Sequence, residues 1–304
     1  MAVAFRNFSP RQLLNQIVGS VVHWISLNAV ILRNATVYKR RNYLGRKVTP
    51  MANWFFRTCR APVMFWKDLG DWQQWEIKCY QMLHPHYQAI PVGPDAICID
   101  QLPGKPLWDH LKAGTLTEEM IEAAAREFSR AHAMWSDIHN GPWSHGDGAM
   151  GNVLYDPASG RALLIDFEII HQRDLPAVTR QADDLHAFLM DLVSLNAPRR
   201  WLPLTLAFLR TYDRADVIAE FRRRLEVPRG AAWIWWKMRV NFVPEGKVAS
   251  RMAKLAKAID QGALSANGVK VATSGRRNHS RRPASACQTI SPGMPNASSR
   301  TRRM

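Results

Sequence analysis

Paired cysteines are missing from this 304-residue chain. Cys59, Cys79, Cys98 and Cys287 are scattered with no ligand-type spacing, which excludes a cysteine metal site. Four of them over this length make no disulfide framework, so the composition points to a reducing cytoplasm. Long apolar runs are scarce too. The one candidate targeting segment, Ile17 to Leu32, is interrupted by His23, Trp24, Ser26 and Asn28 and is followed by no small-residue cleavage site. It is short for a membrane span and reads as buried strands. The expected location is cytoplasmic, at most peripheral to the inner face of a membrane. Acidic residues stop at Asp260. Beyond it Lys270, Arg276, Arg277, Arg281, Arg282, Arg300, Arg302 and Arg303 supply eight positive charges, half of the net +16. From about Ser265 onward Ser, Arg, Pro, Asn and Gly dominate, so residues 265–304 are expected to form a disordered basic tail. A nucleic-acid partner would rest on this charge alone and is set aside. The remaining excess suits a nucleotide or an anionic membrane surface.

What is present is an ordinary globular composition, 47% apolar with 12 tryptophans, and one dense polar stretch from Trp143 to Glu168. It holds His145-Gly146-Asp147, then Asn152, then Asp166-Phe167-Glu168. Between the two polar groups, Val153–Tyr155 and Ala162–Ile165 are short apolar runs joined by Asp-Pro-Ala-Ser-Gly, which is strong turn chemistry. A hairpin there brings its outer ends together. Asp147, Asn152 and Asp166 then converge at one mouth, a set that suits Mg²⁺, which takes few protein oxygens and leaves room for phosphate.

The spacing H-x-D-x-x-x-x-N followed by D-F-E resembles the catalytic core of the protein-kinase-like superfamily. It is most similar to the aminoglycoside and choline kinases and the bacterial lipopolysaccharide sugar kinases. The resemblance implies an α+β, two-lobed fold, with residues 1–99 as a small sheet-bearing lobe and 100–264 as a larger, mostly helical lobe. It implies ATP and Mg²⁺ as cofactors, Asp147 facing the acceptor hydroxyl, and Asn152 and Asp166 on the metal. Lys39, ending the run A-T-V-Y-K, matches the strand lysine that holds the α- and β-phosphates. Glu76 matches its helix partner. Asp100-Gln101-Leu102-Pro103-Gly104 resembles the inter-lobe hinge, placing Asp100 and Leu102 at the adenine.

Two family features are missing. There is no G-x-G-x-x-G loop, so phosphate covering needs another turn or the basic residues near Lys39. Asp183 lies only 17 positions after Asp166, with no A-P-E between them, which leaves no room for a long peptide-presenting segment. The implied activity is phosphoryl transfer to a hydroxyl of a sugar or a glycolipid. An atypical Ser/Thr protein kinase and a catalytically inactive kinase-like binding module are the alternatives.

The remaining elements read as follows. Residues 9–19 form a short helix, and Val21–Lys39 a meander of two or three strands. The basic, aromatic stretch 45–70 packs on the sheet, or else lies on a membrane surface. Asp71 caps a helix that Pro85 ends, burying Trp72, Trp75, Cys79, Met82 and Leu83 on one face. Ala96–Ile99 is a strand. Leu116–Ile138 is a helix capped by Thr117, with Ala123, Phe128, Ala131 and Trp135 as its inner stripe, and His132 and His139 are packing residues. Asp183-Asp184 opens a further helix and resembles the family's buried aspartate that braces the catalytic loop through its backbone N–H groups, a plain N-cap being the alternative reading. Residues 200–260 are helical, with W-I-W-W-K at 233–237 in the core or, alternatively, on a lipid- or sugar-facing surface.

Overall fold

A computed structural model of the chain describes residues 28–33, 35–41, 43–194, 200–241 and 243–264. The expected helix at 9–19, the strands before Asn28 and the tail from 265 lie outside the described residues. The first part is a four-stranded antiparallel sheet in the order β1-β2-β5-β4. Its strands are β1 (Asn28–Arg33), β2 (Thr36–Arg41), β4 (Ala89–Pro91) and β5 (Ala96–Asp100). Lys39 on β2 stands opposite Val30 on one side and Ile97 on the other. The buried-strand reading fails where it can be checked. Val30, Ile31 and Leu32 are 56%, 55% and 62% exposed, and among the described residues β1 is an edge strand paired with β2 alone.

Helix α2 (Leu69–Leu83) packs on this sheet. Its cap is Asp68, whose carboxylate accepts from the amides of Gly70 and Asp71 at 2.7 and 3.1 Å. The helix therefore starts before the expected Asp71, because the earlier carboxylate reaches the first unpaired amides. Trp72, Trp75, Cys79 and Leu83 are buried as the spacing predicts, and so is Glu76.

Before it come α1 (Tyr43–Thr58) and β3 (Val63–Phe65). The inner face of α1 packs: Phe56, Ala61, Val63 and Phe65 form a small separate cluster joined by Trp235. Asn53 holds β3 in place, its Nδ2 donating to the Phe65 carbonyl at 2.8 Å and its Oδ1 accepting the Phe65 amide at 2.7 Å.

The second part is mainly helical. After β6 (Lys105–Pro106) and α3 (Leu107–Ala113) comes α4 (Glu118–His132), capped by Thr117. It ends before the expected Ile138. Trp135 instead pairs with Pro142 in the short ladder of β7 (Trp135–Ser136) and β8 (Gly141–Pro142) and is 60% exposed, out of phase with the helical stripe. The core lies between α4, α5 (Ala177–Ser194) and α6 (Trp201–Tyr212). There the Phe128, Phe188 and Phe208 rings meet at centroid separations of 4.8–5.9 Å. Helices α7 (Ala215–Arg223), α8 (Ala232–Arg239) and α9 (Glu245–Asp260) complete it. Asp183 and Asp184 lie inside α5, which begins six residues earlier than their doublet suggested. The expected hairpin is present as β9 (Val153–Asp156) and β10 (Arg161–Leu164), with Val153 opposite Leu164. Strand β11 (Ile169–His171) then pairs with β3. The chain is thus α+β and two-lobed, a small antiparallel sheet with its helix joined to a mostly helical part.

Candidate active site

Two elements of the small sheet region supply a buried ion pair. Lys39 Nζ, 5% exposed as a residue, lies 2.7 Å from Glu76 Oε1, and Trp72 Nε1 donates to the other Glu76 oxygen at 3.1 Å. The same ammonium bonds Asp166 Oδ1, across from the helical part. Burial pushes the Lys39 ammonium down, but the Asp166 and Glu76 carboxylates outweigh it and hold the group above the usual lysine range. Burial raises the Asp166 carboxyl in turn, and Lys39 overcomes that and lowers it. Asp166 has φ of 67°, a left-handed conformation uncommon for a residue with a side chain.

The hairpin joins this pair to the loop before it. The Ile165 amide donates to the Asn152 carbonyl at 3.0 Å. Asn152 Nδ2 donates to the Asp147 carbonyl at 2.9 Å and to Asp147 Oδ2 at 3.0 Å, which leaves its Oδ1 as the ligand-type atom. Glu76, Lys39 and Asp166 are thus in contact, and the Ile165 amide, next to Asp166 in sequence, links them to Asn152 and through its side chain to Asp147.

The loop itself is held from behind. Asp184 accepts the amides of His145 and Gly146 at 2.7 and 2.9 Å and faces His132 Nε2 at 3.1 Å. Burial would raise its carboxyl, but the surrounding histidines and these bonds hold it well below the usual range. The expected brace is present, although the cap reading of the doublet is not. His145 Nε2 donates to the Ile165 carbonyl at 3.0 Å while Nδ1 accepts the Asp147 amide at 3.2 Å, which fixes the ring's tautomer. Gly146 sits at φ of 91°, and a Cβ there would stand 2.7 Å from the Ile169 carbonyl oxygen. Only glycine fits between His145 and Asp147.

Asp100 and Leu102 differ. The Asp100 carbonyl accepts from the Tyr80 hydroxyl, its amide donates to Gln88 O at 2.9 Å, and its carboxylate accepts the Gln88 amide at 2.7 Å. Its amide and one lone pair of its carbonyl are therefore engaged within the protein. Leu102, buried two residues on, pairs its amide and carbonyl with no other described residue.

No family model matches the chain, and no curated protein sequence does. Among solved structures, a Plasmodium vivax ethanolamine kinase is similar over 82% of this chain and 86% of its own, at 7% identity and a TM-score of 0.40.

Two residues that contact the loop before the hairpin, Arg239 and Asp191, lie outside the quoted motifs, whereas Glu168 belongs to D-F-E. Arg239, at the end of α8, donates to Asp147 Oδ1 at 2.8 Å and to the Gly146 carbonyl at 3.1 Å, and stands 3.7 Å from Asp183. Its guanidinium lies 4.6 Å from the Trp235 ring centroid. The only trace in sequence is the W-W-K-M-R run, where a basic residue follows a Trp by four. Asp191 accepts the Met150 amide at 2.9 Å and Asn241 Nδ2 at 3.1 Å, and burial raises its carboxyl to about 6. Glu168 is raised to about 8 by burial and then by the Asp166 charge beside it. Among the described residues no group of three or more His, Cys, Asp or Glu is placed to hold a metal. Asp166 with the Asn152 amide oxygen is nevertheless a hard oxygen pair of the kind Mg²⁺ accepts when phosphates complete its shell.

Proposed function

We propose that this chain is a phosphotransferase that moves the terminal phosphoryl group of ATP to an alcohol hydroxyl, most simply that of a sugar or glycolipid. One observation carries the reading. A single buried ammonium, Lys39, bridges Glu76 and Asp166, and the Ile165 amide beside Asp166 bonds Asn152, whose side chain holds Asp147. A stabilised cation beside a carboxylate–amide pair and a second carboxylate is the equipment for positioning phosphates and an incoming hydroxyl.

In this reading Lys39 clamps the α- and β-phosphates and Glu76 holds Lys39 in place. Leu102, rather than Asp100, offers its backbone to the adenine edge. Asn152 and Asp166 would hold Mg²⁺, which neutralises phosphate charge when bound. Asp147 orients the acceptor hydroxyl and takes its proton as the oxygen attacks phosphorus. Residues 1–99 and 100–264 are the two lobes that close on the nucleotide. The five residues between β11 and α5, 172–176, are too few for a peptide-presenting segment, which favours a small or glycan acceptor over a protein one.

One observation supports a second reading, a nucleotide-binding module without turnover. Both Asp147 oxygens are engaged, by Arg239 and by Asn152. Labelled ATP offered with sugar, glycolipid and protein acceptors separates the two. Transfer to a sugar or lipid hydroxyl that Asp147→Asn lowers by about a hundredfold or more is the expected result. A thermal shift with MgATP but no transfer to any acceptor would establish the second reading.

A further inference from the structure

A cavity of about 420 Å³, with neither Lys39 nor Asp147 in its lining, opens between α1, β3 and the segment after β11. Val63 and Met64 form its apolar wall, and Arg57, Lys67, Arg173 and Asp174 surround it. This is the volume of a small-ligand site. None of the three cations forms an ion pair among the described residues, and neither does Asp174, so the rim carries a net charge of two. Arg173 is held in place by the Trp66 ring, 5.0 Å from its guanidinium carbon.

The second observation is next to it on the same helix. Arg57 lies one turn beyond Trp54, which lies one turn beyond Met51, and these two apolar side chains are 65% and 57% exposed. A soluble surface gains nothing from a tryptophan held in water, whereas a membrane interface takes up the ring and the thioether together. The opposite face of α1 is anchored by Phe56 and Asn53, so the exposed face is rigidly presented.

We propose that this cavity receives the phosphate-bearing headgroup of an anionic membrane lipid, with Met51 and Trp54 set into the interface beside it. Charge complementarity selects the headgroup and the apolar pair selects a membrane over a free phosphate. The site is independent of phosphoryl transfer, so its test is binding and not activity.

Full-length protein is sedimented with phosphatidylcholine vesicles, with and without phosphatidylglycerol, in parallel with calorimetric titration by inorganic phosphate. The wild type should bind the mixed vesicles preferentially. Arg57→Ala/Lys67→Ala/Arg173→Ala should weaken that binding by about tenfold or more. The charge-matched control Arg126→Ala/Arg161→Ala/Arg210→Ala should change it by less than about threefold. Trp54→Ser, at a position exposed enough to leave folding alone, should weaken vesicle binding without altering the phosphate titration. Equal losses in the two triple variants would show diffuse attraction by a basic chain and overturn the site. Saturable phosphate binding with vesicle association indifferent to Trp54→Ser would overturn the membrane source.

Discussion

At the scale of single residues, the Lys39–Glu76–Asp166 group is both a stability element and the nucleotide end of the proposed site. Glu76→Gln removes one of two anions facing a buried ammonium. Losing a partner of a fully buried pair costs about 3–5 kcal/mol, and because Asp166 stays, a smaller loss of about 1–3 kcal/mol is expected from chemical denaturation. The same variant should weaken MgATP binding, while Asp166→Asn should lower turnover by about a thousandfold with the fold intact. Wild-type turnover in Asp166→Asn would remove that residue from the chemistry. Arg239 allows a sharper test. Its fork holds Asp147 and Gly146 together, and an ammonium cannot reproduce two such bonds. Arg239→Lys and Arg239→Ala should each lower kcat by about tenfold or more, leaving the KM for ATP unchanged. A rise in kcat would mean that Arg239 instead blocks the base.

At the scale of elements, the loop that carries His145, Gly146 and Asp147 depends on α5. Asp184 satisfies two loop amides and a histidine at once, so Asp184→Ala strands buried donors and should cost about 3 kcal/mol together with most activity. Gly146→Ala adds strain at positive φ and a contact with the Ile169 backbone that cannot move away. An unchanged melting temperature in that variant would show that the loop is not fixed as described. How much of this was legible follows from where the information sits. The β9–β10 hairpin, the α4 cap and the line from Asp147 to Asp166 are local, set by turn residues and periodicity, and could be read. The Lys39–Glu76 contact is long-range and came only through a family resemblance. What could not be read depends on distant partners. Asp68 capped a helix before Asp71 could, and the β7–β8 ladder turned Trp135 away from α4. The Tyr80 hydroxyl and Gln88 took up Asp100, and Arg239 arrived from 92 residues beyond Asp147. No spacing rule connects such positions, because tertiary packing chooses them.

At the scale of the whole molecule, buried neutral histidines set the acid limit. His84, His139 and His186 are each lowered to about 4, burial being the first cause in every case. A lowered histidine is neutral when folded, whereas the unfolded chain takes up the proton from about pH 6.5 downward. The unfolded state therefore binds more protons between about 6.5 and 4, and stability falls as pH falls through that window. Asp191, raised to about 6, acts in the opposite sense: its folded form gains a proton first, which partly offsets one histidine. His84 isolates the effect, since its Nε2 donates to the Leu164 carbonyl at 2.7 Å at the end of β10 and it is buried. The unfolding free energies of wild type and His84→Gln, from urea midpoints at several pH values, should converge as pH drops from 6.5 to 4. The limit is about 1.4 kcal/mol per pH unit for one proton. Parallel profiles across that range would show that His84 is protonated in the folded chain, and its neutral bond to the β9–β10 hairpin would have to be given up.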